Sequence, residues 1–99
     1  MPELTVIRWR DIPAQVTAGA GRGAARRQLP DRFQEAIDAA AMRAGLFGTD
    51  DYLTEWRRDT RACGDDLEAE VAAAADGLDA EYPAERLERL VRAGGREST

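Results

Sequence analysis

The spacing of apolar residues changes along this chain, and that change does most to limit the folds it can adopt. Residues 4–10 combine β-branched and aromatic side chains, which favours a strand. Apolar residues then recur three or four apart over 30–45 and again over 65–82, which predicts two amphipathic helices. In a chain of 99 residues, this order is typical of one α+β domain.

Each predicted helix has recognisable ends. Pro30 suits the first position of the first helix, and Gly45 is a natural stop. We expect Asp65 to cap the second helix. Pro83 interrupts the pattern, which resumes over 84–93 as a short C-terminal helix. The expected buried stripes are Phe33, Ile37, Ala40 and Ala44 in the first helix and Leu67, Val71, Ala74, Ala75 and Leu78 in the second.

Other segments can extend the sheet. Residues 15–18 can resume extended structure after a break or bend at Pro13, and 24–29 can pair back as a weak strand. Residues 52–63 fit either a helix capped by Asp50 or a strand; we prefer the strand, because a two-stranded ribbon is marginal. We therefore expect a small antiparallel sheet of two to three strands, with two main helices packed on one face and a short C-terminal helix.

The basic residues are fourteen arginines, with no lysine and no histidine. Serine–histidine and cysteine–histidine pairs, histidine metal sites and lysine Schiff bases are therefore excluded. Cys63 is the one cysteine, and we interpret it as a structural thiol in a reducing cytoplasm. We interpret the carboxylates of 65–70 as the solvated start of a helix. We expect no enzyme acting alone, no catalytic residue, no metal and no cofactor.

Charge is distributed unevenly. Residues 1–61 carry ten arginines against nine acidic residues, whereas 62–99 carry four against ten, which gives a net charge of −5. An acidic chain argues against nucleic acid and anionic membranes as partners, but leaves room for a local arginine patch. No apolar run approaches a membrane span and the first residues do not resemble a signal peptide, so we expect a cytoplasmic protein.

Two segments place tryptophan beside arginines: Arg-Trp-Arg at 8–10 and Trp-Arg-Arg at 56–58. On neighbouring strands the tryptophans would share a face, and the arginines would line the other face or stack on the rings. Such a surface is typical of interaction hot spots. The alternative is that both tryptophans are core residues and the arginines are solvated or paired with Asp11, Glu55 and Asp59.

A glycine-rich segment at 19–23 precedes two further arginines. Backbone N–H groups and arginines can clamp a phosphate there, although the spacing fits neither a P-loop nor a dinucleotide fingerprint. The alternative is a mobile hairpin tip. The candidate partner-binding residues are Arg8, Trp9, Arg10, Arg22, Arg26, Arg27, Trp56, Arg57 and Arg58.

Three blocks resemble a known family. Residues 5–16 (TVIRWRDIPAQV), 32–46 (RFQEAIDAAAMRAGL) and 52–58 (YLTEWRR) are similar, in order, to the small bacterial virulence factor domain, in its stand-alone alphaproteobacterial form. The likeness covers roughly 4–82, so we divide the chain into a domain at 1–83 and a helical extension with a frayed tail at 84–99. The resemblance implies genomic neighbours in one-carbon metabolism and carries over no catalytic residue.

Taken together, these features predict a non-enzymatic accessory or adaptor that binds another bacterial protein. The resemblance makes an enzyme of one-carbon metabolism the candidate partner, either methylenetetrahydrofolate reductase or a corrinoid methyltransferase. The alternative function is a small-ligand module that binds an anionic metabolite, such as a folate, through clustered arginines. The oligomeric state stays open at this point.

Overall fold

The computed structural model describes residues 2–97. Three strands come first, and one further strand lies among the helices that follow. Within that part there are four strands, four α-helices and one 3₁₀ turn at Gly21–Gly23. In chain order the elements are β1 (Glu3–Trp9), β2 (Ile12–Ala18), β3 (Ala25–Gln28), α1 (Asp31–Arg43), α2 (Asp50–Thr54), β4 (Trp56–Ala62), α3 (Leu67–Glu81) and α4 (Ala84–Arg92).

The four strands form one antiparallel sheet in the order β3-β2-β1-β4. The expected α+β class is confirmed, but the expectation of two to three strands was too low. The weak candidate at 24–29 does form a strand, because β2 supplies a full set of backbone partners from Gln15↔Gln28 to Ala18↔Ala25. Cross-strand pairing thus outweighs the low strand preference of its own residues.

The connection from β1 to β2 is tight. Arg10 adopts a left-handed conformation with φ of 53°, and β2 begins at Ile12, so Pro13 lies inside the strand rather than ending it. A β-bulge between Ile7 and Arg8 bends the ladder at that point. Because β3 pairs only with Gln15–Ala18, Pro13 lies beyond the β2–β3 ladder, where its missing N–H is tolerated.

α1 begins at Asp31, one residue after Pro30, which occupies the cap position. The predicted stop is confirmed: Gly45 has φ of +76°, a conformation that glycine adopts without strain. Its N–H donates to the Met42 carbonyl at 3.1 Å, and the Leu46 N–H donates to the Ala41 carbonyl at 2.9 Å. These two bonds are the Schellman ending, which satisfies carbonyls that the helix leaves free.

Both alternatives for residues 52–63 occur, one after the other. A single helical stretch, α2, ends at Thr54, and β4 follows from Trp56 to Ala62. The preferred strand is therefore confirmed from Trp56 onward and wrong before it. The cap of α2 is Thr49 rather than Asp50, because the Thr49 side chain accepts a hydrogen bond from the Tyr52 N–H.

α3 starts later than predicted. Its cap is Asp66, whose side chain accepts a hydrogen bond from the Ala69 N–H at 3.2 Å, and not Asp65. The predicted stripe is confirmed at Val71, Ala75 and Leu78, which are buried, and its other members are half-buried. Both adjacent aspartates can cap a helix, so only the path of the chain into the helix decides between them.

Helix packing builds one core. α3 packs against β2 and β3, whereas α1 packs against β2 and α4. Within the described residues, no helix is long and apolar enough to cross a membrane. The largest fully buried side chains are Trp9, Phe33, Leu4, Ile12, Ile37 and Val16.

The segment after α4 returns to the sheet. The Gly95 carbonyl accepts a hydrogen bond from the Asp11 N–H at 2.8 Å, and a Cβ added at Gly95 would lie 2.8 Å from the Trp9 ring. Only glycine fits so close to the ring. Of the predicted tail, Arg96 and Glu97 make ion pairs with Glu55 and Arg86. Ser98 and Thr99 lie outside the described residues.

Candidate interaction surface

The two tryptophans lie directly opposite each other on β1 and β4, so they share a face as expected. Trp9 is fully buried, and its Nε1 donates to the Tyr52 carbonyl at 2.9 Å. Trp56 is half-buried. The Arg10 guanidinium lies 5.1 Å from the centre of the Trp9 ring, which is a cation–π contact. Trp9 is thus a core residue, and only Trp56 offers surface to a partner.

Arg8 and Arg10 make contacts within the fold. Their side chains are 18% and 13% exposed. Nε of Arg8 donates to Asp59 at 2.7 Å. The two terminal nitrogens of Arg10 donate to Glu55 at 3.2 Å and to the Gly94 carbonyl at 2.9 Å. Asp59 and Glu55 are two of the carboxylates named above as partners of the arginines in the alternative interpretation. Little of the charge of Arg8 and Arg10 is therefore left at the surface.

Arg57 and Arg58 point to opposite faces of the sheet, because neighbouring residues of a strand alternate. Arg57 lies opposite Arg8 and forms an ion pair with Asp11 at 3.2 Å. Arg58 lies opposite Ile7 and is exposed. The pleat of β4 therefore divides the predicted arginine cluster in two.

The three arginines near the glycine-rich segment are exposed. Arg22 lies in the 3₁₀ turn that joins β2 to β3. Arg26 pairs with Thr17 and Arg27 with Val16, so their side chains project to opposite faces. Of the three, only Arg26 shares a face with Arg58.

The sheet has a second face, turned away from α3. Buried Leu4, Val16, Ala18 and Ala25 mark the face that α3 covers. The alternating residues 5, 7, 15, 17, 26, 28, 58 and 60 point the other way, and none of them is fully buried. We call this surface the open face. Its side chains form two rows across the four strands: Arg26, Thr17, Thr5 and Thr60, and Gln28, Gln15, Ile7 and Arg58.

The two rows of the open face are polar and contain no carboxylate. Exposed Glu3, two residues before Thr5 on β1, points to the same face and lies beside the first row. Hydroxyl and amide groups fill the centre of the open face, and the Thr5 and Thr60 hydroxyls lie 3.2 Å apart. An arginine stands at each end, Arg26 on one edge strand and Arg58 on the other. The hydroxyl, amide and guanidinium groups of the two rows can donate hydrogen bonds to acceptor groups of a partner.

A group of aromatic rings adjoins the open face at Trp56. The Tyr52 ring lies between Trp9, at 5.6 Å between ring centres, and Trp56, at 6.2 Å. Phe47 extends the group outward at 6.4 Å from Tyr52. We call Phe47, Tyr52 and Trp56 the aromatic patch. Edge and tilted contacts at these distances are favourable and hold the rings in place.

Three large apolar side chains of the described residues are exposed, and all three belong to the segment 42–53. Phe47 itself is 57% exposed, and Leu53, the neighbour of Tyr52 in α2, is 65% exposed. Met42, near the end of α1, is 64% exposed. Sequence reasoning missed Phe47 and Leu53. The signal available in the sequence was Phe47, a large apolar residue between Gly45 and Gly48 that belongs to neither predicted helix stripe.

Tyr52 is the group in this region with a shifted pKa. Burial raises the pKa of its phenol, nearby Asp38 raises it further, and a hydrogen bond with Gln34 opposes both. The phenol is therefore neutral at physiological pH and acts as a hydrogen-bonding group rather than as a base.

Cys63 is buried. Among residues 2–97, no group of three or more potential ligands could hold a metal ion.

One further concave feature lies between α1 and α4. It is a groove of about 440 Å³ whose floor is mainly apolar, with charged residues at its rim. None of the predicted site residues lines it. The floor residues are Ala36, Ala39, Ala84, Leu87 and Val91.

Comparison with known proteins gives one match. A family model described as "Virulence factor" matches residues 7–91, which include the open face except Thr5, the aromatic patch and most of α4. No curated protein and no solved structure matches the chain. The match extends beyond residue 82, where the sequence resemblance was expected to end.

Proposed function

We propose that this chain, which belongs to the virulence factor family, is a non-enzymatic adaptor that binds another protein through the aromatic patch and the adjoining open face. The observation that carries the proposal is the exposure of Phe47 and Leu53, at 57% and 65%, on either side in the chain of Tyr52, whose ring contacts half-buried Trp56. Grouped apolar side chains of this size in contact with water mark interaction sites.

The aromatic patch is also well prepared for binding. Tyr52 packs on the fully buried Trp9 ring, and Trp56 and Phe47 contact Tyr52 in turn. A partner would therefore meet rings that are already ordered, so that little conformational entropy is lost on association. Tryptophan, tyrosine and arginine are the residue types that most often dominate binding energy, and Trp56 and Arg58 lie on the same face of β4.

The geometry of the arginines favours a macromolecular partner over a small anion. Arg8, Arg10 and Arg57 already face carboxylates within the fold. Arg26 and Arg58 lie on the two edge strands, β3 and β4, at opposite sides of the four-stranded sheet. With strands about 4.8 Å apart, three strand spacings alone separate the two by at least about 14 Å at the backbone. A single carboxylate or phosphate would reach one of them, whereas a protein surface can reach both.

The resemblance noted above suggests which partners to test first: methylenetetrahydrofolate reductase and cobalamin-dependent methyltransferases. The test is quantitative affinity purification of the full chain from its native organism. Phe47→Ser combined with Leu53→Ser should reduce the captured amount of a specific partner at least about tenfold, because two such side chains contribute well over one kcal/mol when buried.

The matched control changes two exposed residues of α4, Glu88→Ser with Arg89→Ser, and should retain the partner. Circular dichroism of all three proteins checks that each is folded. Equal recovery of the partner by the patch variant and the wild type would refute the proposal.

Charge reversal separates the arginines. Arg58→Glu should weaken capture because Arg58 is exposed on the open face, whereas Arg57→Glu should act mainly by breaking the ion pair with Asp11.

For the alternative function, a thermal shift assay with folates and phosphates is decisive. A ligand at 100 times its Kd would stabilise the protein by about 2.7 kcal/mol, and we expect no shift.

A further inference from the structure

Within residues 2–97, the outer edge of β4 pairs with no other strand. β4 is the last strand of the order β3-β2-β1-β4, so its second edge carries no partner strand. It is seven residues long, and every residue after Trp56 is exposed. The opposite edge strand, β3, has only four residues. Long uncovered edges are templates for pairing with another chain.

The pairing of β1 with β4 defines which backbone groups are free. The Arg10 N–H donates to the Glu55 carbonyl at 3.1 Å, and the Cys63 N–H donates to the Pro2 carbonyl at 3.0 Å. Hydrogen-bonded pairs recur every second residue in an antiparallel ladder, so residues 57, 59 and 61 direct their groups toward β1. The N–H and C=O groups of Arg58 and Thr60 therefore point away from the sheet.

Side-chain charge decides how this edge could pair with a second copy of itself. Residues opposite each other must point to the same face, so a two-fold axis can pass through residue 58, 59 or 60. An axis at Arg58 would place the two Arg58 side chains together. An axis at Asp59 would place Asp59 opposite Asp59 and Arg57 opposite Arg61. An axis at Thr60 places Asp59 opposite Arg61 twice and opposes no like charges.

We propose that two copies of the chain pair through β4, antiparallel, about a two-fold axis at Thr60, with Asp59 of each opposite Arg61 of the other. The second copy is the occupant that this edge fits, because alternating charges make the strand complementary to itself in that register. The result is a continuous eight-stranded sheet. This inference goes beyond the proposed adaptor function, since the paired residues 58–62 include no member of the aromatic patch.

The contact is small, because residues 58–62 are the part of β4 that overlaps in this register. We therefore expect a weak dimer whose population rises with protein concentration. Sedimentation velocity of the full chain over a range of concentrations measures this directly. A wild-type chain that stays monomeric at millimolar concentration would overturn the proposal.

The register is tested by charge exchange. Arg61→Asp places Asp59 opposite an aspartate, and Asp59→Arg places Arg61 opposite an arginine, so each variant alone should dimerise about tenfold less strongly. Mixed together, the two variants restore both opposite-charge pairs and should form a heterodimer. The control Arg58→Asp faces Ala62 in this register and should keep the wild-type affinity. Dimerisation of Arg61→Asp at wild-type strength would refute the register.

A backbone variant keeps the test decisive should Asp59→Arg disturb the fold through its contact with Arg8. Thr60→Pro removes an N–H that points outward and leaves the ladder with β1 intact, so a folded monomer is expected. Thr60→Ala keeps that N–H and should still dimerise. Equal dimerisation of the proline and alanine variants would show that the β4 edge is not the interface.

Discussion

Arg10 and Arg58 are the same residue type in opposite surroundings. Arg10 is 13% exposed, donates to Glu55 and Gly94, and stacks on Trp9. Arg58 projects from an edge strand into solvent. Both were predicted to belong to one partner-binding surface, a role that stays a prediction. The difference arises because a left-handed turn carries Arg10 back over the sheet, and no local pattern indicates that contact.

The two arginines should therefore differ in their effect on stability. Arg10→Ala removes two hydrogen bonds and leaves Glu55 with only its longer contact to Arg96, so we expect a loss of about 2 kcal/mol in the free energy of unfolding. Arg58→Ala should change it by less than about 0.5 kcal/mol. Urea denaturation measures both. Similar losses for the two variants would contradict the structural role assigned to Arg10.

Tyr52 gives a pH dependence that this composition makes easy to observe. Its pKa is raised in the folded chain, so the phenol stays protonated while an unfolded chain begins to ionise near pH 10. The Tyr52 contribution is thus constant below that pH, and stability falls as pH rises above it. With no lysine in the chain, few other groups titrate in that range.

Tyr52→Phe is the matched variant for this effect. Denaturation of both proteins between pH 9 and 11 should show a shallower loss of stability for Tyr52→Phe than for the wild type. Parallel curves would mean that Tyr52 has the same pKa in the folded and unfolded chains.

At the level of elements, the types of helix and strand were more predictable than their ends. The stripe of α3 is clear in the sequence, but its cap is Asp66 and not Asp65. The segment at 52–63 divides into a helix and a strand between Thr54 and Trp56. Short-range preference does not fix such a boundary, because pairing of Trp56 with Trp9 across the sheet determines where β4 begins.

The position of the α3 cap can be tested with neighbouring aspartates. Asp66→Ala removes the acceptor for the Ala69 N–H and should cost about 1 kcal/mol. Asp65→Ala, one residue earlier, should cost only a few tenths of a kcal/mol. Thermal denaturation of the two variants decides the matter, and the reverse order of effects would place the cap at Asp65.

At the scale of the whole molecule, the packing of α4 is relevant to the predicted division of the chain into a domain and a C-terminal extension. The boundary at residue 83 is a prediction from the sequence. α4 packs against α1 with Leu87 and Leu90 buried, and the segment after it covers Trp9. These contacts join the C-terminal helix to the same core as the sheet.

If that core is one cooperative unit, a change in α4 should affect the unfolding of the entire chain. Leu90→Ala should lower the free energy of unfolding by about 2–4 kcal/mol, measured equally by tryptophan fluorescence and by circular dichroism. Arg89→Ala, on the exposed side of α4, serves as the control. An unchanged tryptophan transition in Leu90→Ala would show that residues 84–99 are an independent extension.

The sequence alone determined the α+β class, both long helices, the Gly45 stop and the family, because these depend on periodicity and on local backbone preference. Tertiary structure decided the four-stranded order, the burial of Trp9, the ion pairs of half-buried Arg8 and Arg10, and the exposure of Phe47 and Leu53. Those features depend on which distant segments meet, and alternation along one strand cannot tell which face another element will cover. The open face and the free edge of β4 exist only once the four strands have paired.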